Sequence, residues 1–189
     1  AEAVRRFDQP PVVVGHSMGA LSAMNVATRE RVAGVVTIAA PMPGRLPARL
    51  GALPYVFPHI PQIIAGRAVM PTPEAVRALV THHLSTAEAD EIISAGGFES
   101  GRGLRRVLGC GLAGSAKGMR GAVRCSGAGG DRVVPPAAAG QIAEATNGEL
   151  VVFPGHGHWL IAGSLVSTVA ATVAEWLERN FDRKDDGVK

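Results

Sequence analysis

Hydrophobic positions along this chain alternate between two textures. Residues 11–16, PVVVGH, form a short unbroken run of β-branched side chains, the pattern of a strand buried on both faces. From Ala20 the spacing becomes helical. Leu21, Ala23, Met24 and Ala27 recur on one face and predict a helix to about Glu30. A second continuous run, RVAGVVTIAAP over 31–41, predicts another buried strand that a proline ends. Strand, helix and strand in that order predict a parallel βαβ unit.

The texture then breaks. Residues 41–61 are dense in proline and glycine, which prevents a long helix or a central strand. Three short helices are expected next. Thr72 caps the first, with Pro73 at its opening position. Ser85 and Glu88 form a capping box for the second, which Gly96 and Gly97 close. RGLRRVLG gives the third. The expected organisation is therefore a core half over 1–43, a helical cap or lid inserted over 44–117, and a second core half over 118–189. In that last part AVRCSGAGG is a weakly apolar strand and PAAAGQIAEATNG a helix. GELVVF is a strand feeding a loop, and the final helix carries Leu165, Val169, Val173, Trp176 and Leu177 on one stripe. The tail DRKDDGVK is expected to be loose.

Composition narrows the classes. The 189 residues suit one domain, and 47% hydrophobic with 19% charged residues describes a globular chain. The net charge of +3 comes with scattered arginines and only 4% aromatics, so nucleic-acid binding has no support. No apolar run is long enough to span a bilayer, and stable membrane insertion is not expected. Cys110 and Cys125 have no metal-binding spacing, and reduced, structural thiols are expected. The opening AEAVRRFDQP reads as the end of a helix without the parts of a signal peptide. The expectation is a chain that begins inside a domain, and a cytoplasmic location.

The informative stretch is GHSMG, residues 15–19, where the first strand should stop. In an open parallel sheet, ligands bind at the carboxyl ends of the strands. A sharp strand-to-helix turn there forces its central residue into a strained conformation and crowds its neighbours. Gly15 and Gly19 suit such crowding because they lack side chains. Ser17 would project its hydroxyl above the sheet. The positive end of the following helix, with the Met18 amide as donor, would face any oxyanion formed there.

GHSMG resembles the G-x-S-x-G nucleophile elbow of the α/β-hydrolase superfamily. Two further strings carry the resemblance: GAGGDRVVP, similar to the family's GxxDxxVP, and GHGHW, similar to its GxGHW. The family's chain order of serine, acid and histidine then implies Ser17 as nucleophile, Asp131 as the orienting acid and His158 as the base. His156 is the alternative base. His16 is expected to be directed elsewhere by the turn. The resemblance is to the serine-esterase and lipase-like branch with a helical lid, and it covers nearly the whole chain. It implies an α/β fold with a mostly parallel sheet and a helical cap.

Two features depart from the family. Its first strands and the HG loop supplying a second oxyanion donor normally precede the elbow and are absent here, and AVRCSGAGG is a poor strand. The expected activity is cleavage of a carboxylic ester, thioester or amide through an acyl-enzyme. Leu53, Tyr55, Val56, Phe57, Ile60, Ile63 and Ile64 would line an apolar lid that favours a lipophilic acyl group. Alternatively, these residues pack the lid onto the core. Such chemistry needs no metal or organic cofactor, and the partner is a small ester. Acyl transfer by the same residues and a non-catalytic scaffold are the rival readings. Oligomeric state is left open.

Overall fold

The computed structural model describes residues 2–43, 50–108, 116 and 118–181. In chain order the main elements are β1 (Val12–His16), α1 (Met18–Ala27), β2 (Gly34–Ile38), α2 (Thr86–Ser94), α3 (Gly101–Leu108), β3 (Ala122–Ala128), α4 (Ala137–Thr146), β4 (Glu149–Phe153) and α5 (Val166–Phe181). The four strands form one sheet in the order β1-β2-β3-β4, and every pairing is parallel. Val12 lies opposite Gly34, Gly34 opposite Ala122, and Arg124 opposite Glu149. All four carboxyl ends therefore point the same way, which is where the candidate residues lie.

Helices cover both faces. On one, Leu21 and Met24 of α1 pack with Val123 and Cys125 of β3 and Ile142 of α4. On the other, Val36 and Ile38 of β2 and Phe153 of β4 meet Val169 and Trp176 of α5. Leu165, Val173 and Leu177 flank that second cluster, so the stripe read from the sequence is the face that α5 buries.

The strands differ in burial for a topological reason. β2 and β3 are central, and β2 is buried throughout. The expectation that β1 is buried on both faces is not met. Val14 is 56% exposed, because β1 lies at one edge of this sheet and the α5 face covers Val12 but not Val14. At the other edge Leu150 and Val152 of β4 are also exposed.

The strand that reads poorly in sequence, AVRCSGA, is central and buried from Val123 to Ala128. It carries polar residues inside, where Arg124 Nε and the Ser126 hydroxyl have no hydrogen-bond partner among the described residues, and the charged end of Arg124 finds a carboxylate across the sheet. Arg124, almost fully buried, reaches Glu149 across the strand pair at 3.8 Å, and Glu149 also pairs with Arg179 at 2.7 Å. Its small residues admit α4 at close range: a Cβ at Gly127 would lie 2.9 Å from that of Ala139.

Between β2 and β3 the structure is helical in short pieces. Residues 50–64 are a chain of helical turns interrupted by Pro54, Pro58 and Pro61. Thr72 caps Pro73–Ala75 by accepting the Ala75 N–H at 3.2 Å, and the helix widens to a π-turn over Val76–Val80. The Ser85–Glu88 capping box at α2 is formed as expected. α4 ends on Asn147 in the left-handed conformation, φ 52, a residue type suited to that position. Cys110, part of the insertion's lower boundary and the tail 182–189 lie outside the described residues.

Trp176 is 1% exposed, and its ring approaches the backbone of Gly34. Trp176→Ala should lower the unfolding free energy by about 3–5 kcal/mol, read as a lower urea midpoint.

Candidate active site

β1 runs into α1 with a single residue between them, Ser17, at φ 51 and ψ −122. A positive φ in a residue with a side chain stores strain. Two hydrogen bonds hold it. The Ser17 N–H donates to the Ile38 carbonyl at 2.8 Å, extending the β1–β2 ladder, and the Ser17 carbonyl accepts from Ala20 N–H at 3.0 Å. The turn is tight enough that a Cβ on Gly15 would lie 2.5 Å from the Gly19 carbonyl oxygen and 2.6 Å from Ala20 Cα. Gly15 is therefore required by close approach. Gly19 is not: a Cβ there meets nothing within 4 Å, which corrects the expectation that both glycines relieve crowding. Gly19 sits in the first turn of α1 with ordinary helical freedom around it.

The structure brings Ser17, His158 and Asp131 together. Ser17 Oγ lies 2.8 Å from His158 Nε2, and His158 Nδ1 lies 2.8 Å from Asp131 Oδ2. Asp131 and His158 are 2% and 4% exposed. In the neutral imidazole this geometry has Ser17 O–H donating to Nε2 and Nδ1–H donating to the carboxylate. Asp131 follows β3 in a turn in which Oδ1 accepts the N–H groups of Val133 at 2.8 Å and Val134 at 2.9 Å. One carboxylate oxygen thus closes its own loop while the other faces the histidine. His158 lies in the loop after β4, which the Gly130 N–H ties to Asp131's turn through the His156 carbonyl at 2.8 Å.

His156 does not reach Ser17 in this arrangement. Its ring packs at 87° against His83, with centroids 5.8 Å apart, and His83 packs on His82 at 5.5 Å. Met18 is the first residue of α1, so its amide has no acceptor within the helix. Its side chain lies beside Gly103 of α3.

Other contacts join the helical segment to the loops of the site. Arg132, next to Asp131, donates to the Ala78 carbonyl at 3.0 Å. Glu88 accepts the Ser164 N–H at 2.8 Å. Together with the three histidines, they hold residues 73–94 against the loops that carry Asp131 and His158. Among the lid residues read from the sequence, Ile63 is buried, whereas Leu53, Phe57, Ile60 and Ile64 are exposed. Exposure of those four does not fit the reading in which the set simply packs onto the core, and Ile63, though buried, belongs to none of the three core clusters.

Sequence reasoning missed His16. It is not turned away: Nε2–H donates to the His158 carbonyl at 2.9 Å, and the two rings lie 5.0 Å apart. Its position immediately before the serine was the available signal. Desolvation, and then the neighbouring His158, push the His16 ring down to about 4. Among the described residues, no group of histidine, cysteine and carboxylate side chains could hold a metal ion, and no helix is long and apolar enough to cross a membrane.

A model of the alpha/beta hydrolase family matches residues 1–173, and the chain belongs to that family. Its class of activity is accordingly that of a hydrolase. The fold is similar to that of a monoacylglycerol lipase from Paleococcus ferrophilus, with TM-score 0.69 and 16% identity over 95% of this chain and 72% of the other. It is also similar to a soluble variant of monoglyceride lipase from Saccharomyces cerevisiae, with TM-score 0.64 and 15% identity over 95% of this chain and 65% of the other. A meta-cleavage product hydrolase from Pseudomonas fluorescens matches with TM-score 0.67 and 20% identity, over 90% of this chain and 65% of the other. A search of the curated proteins finds no match.

Two outcomes follow from this geometry. Gly15→Ala should destabilise the protein strongly, while Gly19→Ala should leave the thermal midpoint within a few degrees of the parent, as measured by calorimetry. The second outcome concerns pH. Because His16 is held neutral in the fold, the unfolded chain binds more protons below its ordinary value of 6.5. Stability should be full above pH 6.5 and fall as the pH drops toward 4, with His16 contributing a loss of about 3 kcal/mol at the acid end. Urea midpoints measured across that range check the sign.

Proposed function

We propose that the protein is a serine hydrolase that cleaves carboxylic esters, or related thioesters and amides, through an acyl-enzyme. One observation carries the reading: the continuous hydrogen-bonded line from Ser17 Oγ through His158 to Asp131, with both links at 2.8 Å, built on a strained turn at a strand's carboxyl end. Ser17 Oγ attacks the substrate carbonyl while His158 Nε2 takes its proton. Asp131 keeps Nδ1–H oriented and stabilises the imidazolium. The Met18 N–H donates to the oxyanion at the start of α1, where the helix dipole also favours negative charge. His158 then protonates the leaving alcohol, and water repeats the sequence on the acyl-serine.

The substrate is proposed to be a small molecule with a lipophilic acyl group, and the segment between β2 and β3 to act as a cap. The contacts of that segment with the loops bearing Asp131 and His158 support the cap, as does its content of Leu53, Phe57, Ile60 and Ile64. The similarity in fold to proteins described as monoacylglycerol and monoglyceride lipases is consistent with the acyl preference.

Hydrolysis of p-nitrophenyl esters of increasing chain length tests the proposal. Ser17→Ala and His158→Ala should each lose several powers of ten in kcat, whereas His156→Ala should retain most of it. Activity should fall on acidification, because a protonated imidazole cannot accept the serine proton. Undiminished turnover in Ser17→Ala, or a larger loss from His156→Ala than from His158→Ala, would contradict the assignment.

A further inference from the structure

The catalytic reading leaves the orientation of His158 incompletely explained. Its backbone belongs to a loop outside regular secondary structure, so neither a helix nor a strand ladder fixes the direction of its side chain. Asp131 and Ser17 hold the two ring nitrogens, yet each of those bonds requires the ring already to be in place.

We propose that His16 is a positioning residue for the reaction, its Nε2–H holding the backbone carbonyl of His158 so that the imidazole stands between Ser17 and Asp131. The inference rests on the catalytic reading of those three residues. The anchor is well chosen physically. His16 ends β1 and pairs with Ile38 in the sheet register, so its own backbone is fixed by the ladder that also fixes Ser17. One rigid strand end thereby sets both the nucleophile and, through a 2.9 Å bond, the main chain of its base. The ring is also wedged laterally, 5.0 Å from the ring of His158 and edge-on to Trp159 at 5.4 Å.

The electrostatics suit the role. The charged or titratable groups that act on His16 are His158 and Asp131. When His158 becomes an imidazolium during acyl transfer, a second cation beside it would oppose that charge. A partly buried His16 stays neutral across the neutral pH range and still donates its hydrogen bond. Lysine or arginine could donate at this position only by bringing a charge.

Four variants of the full chain, His16→Phe, His16→Asn, His16→Gln and Ser17→Ala, test the inference. Phenylalanine keeps a ring against Trp159 and removes the N–H. Asparagine keeps an amide donor too short to reach, and glutamine carries it to about the place of Nε2. The expected result is a kcat loss of about 10- to 100-fold for His16→Phe and His16→Asn with little change in KM, as for a modest misplacement of a reacting group. His16→Gln should recover kcat to within a few-fold of the parent. The low-field proton NMR signal of His158 Nδ1–H should broaden or move in the first two variants and return in His16→Gln, a readout independent of turnover.

Parental kcat with an unmoved signal in His16→Phe and His16→Asn would overturn the inference. So would failure of His16→Gln to rescue, or loss of folding in both His16→Phe and His16→Asn alongside a normal His16→Gln, which would place the bond in stability alone. Turnover surviving in Ser17→Ala would instead remove the catalytic reading itself.

Discussion

The backbone of Ser17 is held in a conformation that costs on the order of 1–3 kcal/mol for a residue with a side chain, and the site is organised by what holds it there. The Ser17 amide is fastened to Ile38 of the neighbouring strand, its carbonyl to the first turn of α1, and the absence of a side chain at Gly15 lets the two elements close on each other. Relaxing that turn would swing the hydroxyl off the sheet's end and away from the first amides of α1. The strain is stable because β2 is fully buried behind it and cannot shift to relieve it.

The parallel sheet does the rest of the assembly. Since its strands share one direction, the loops after β1, β3 and β4 emerge on the same side, and residues 17, 131 and 158 can meet although more than a hundred positions separate the first from the last. The order of the elements, not local propensity, produces this convergence. The helical segment between β2 and β3 leaves the sheet and returns over the same side, held through Arg132, Glu88 and the packed rings of His82, His83 and His156.

How much was legible in the sequence depended on how local each signal was. The strand-to-helix turn, the capping box at Ser85 and the apolar stripe of α5 rest on residues a few positions apart, and the structure forms each of them. β3 was hard to read because its burial is set by its two neighbours in the sheet, which let Arg124 and Ser126 lie inside. Val14 failed in the opposite sense, as an apolar residue whose edge position no local pattern reveals. At the candidate site, motif order could name Ser17, Asp131 and His158 but not their separations. It did not assign His16, whose bond goes to the backbone carbonyl of His158, an atom every residue carries and no motif marks. Gly19 shows the reverse error, a motif position to which the surroundings give no steric task.

The account's central claim is that the turn at Ser17, with His158 and Asp131 behind it, makes this one hydroxyl nucleophilic. Reaction of the protein with a fluorophosphonate, followed by digestion and mass-spectrometric mapping, measures that property without knowledge of the substrate. The account predicts a single adduct on Ser17, formed at a rate that collapses when His158 is replaced by alanine. An adduct on another residue, or labelling of Ser17 at the same rate without the imidazole, would contradict it.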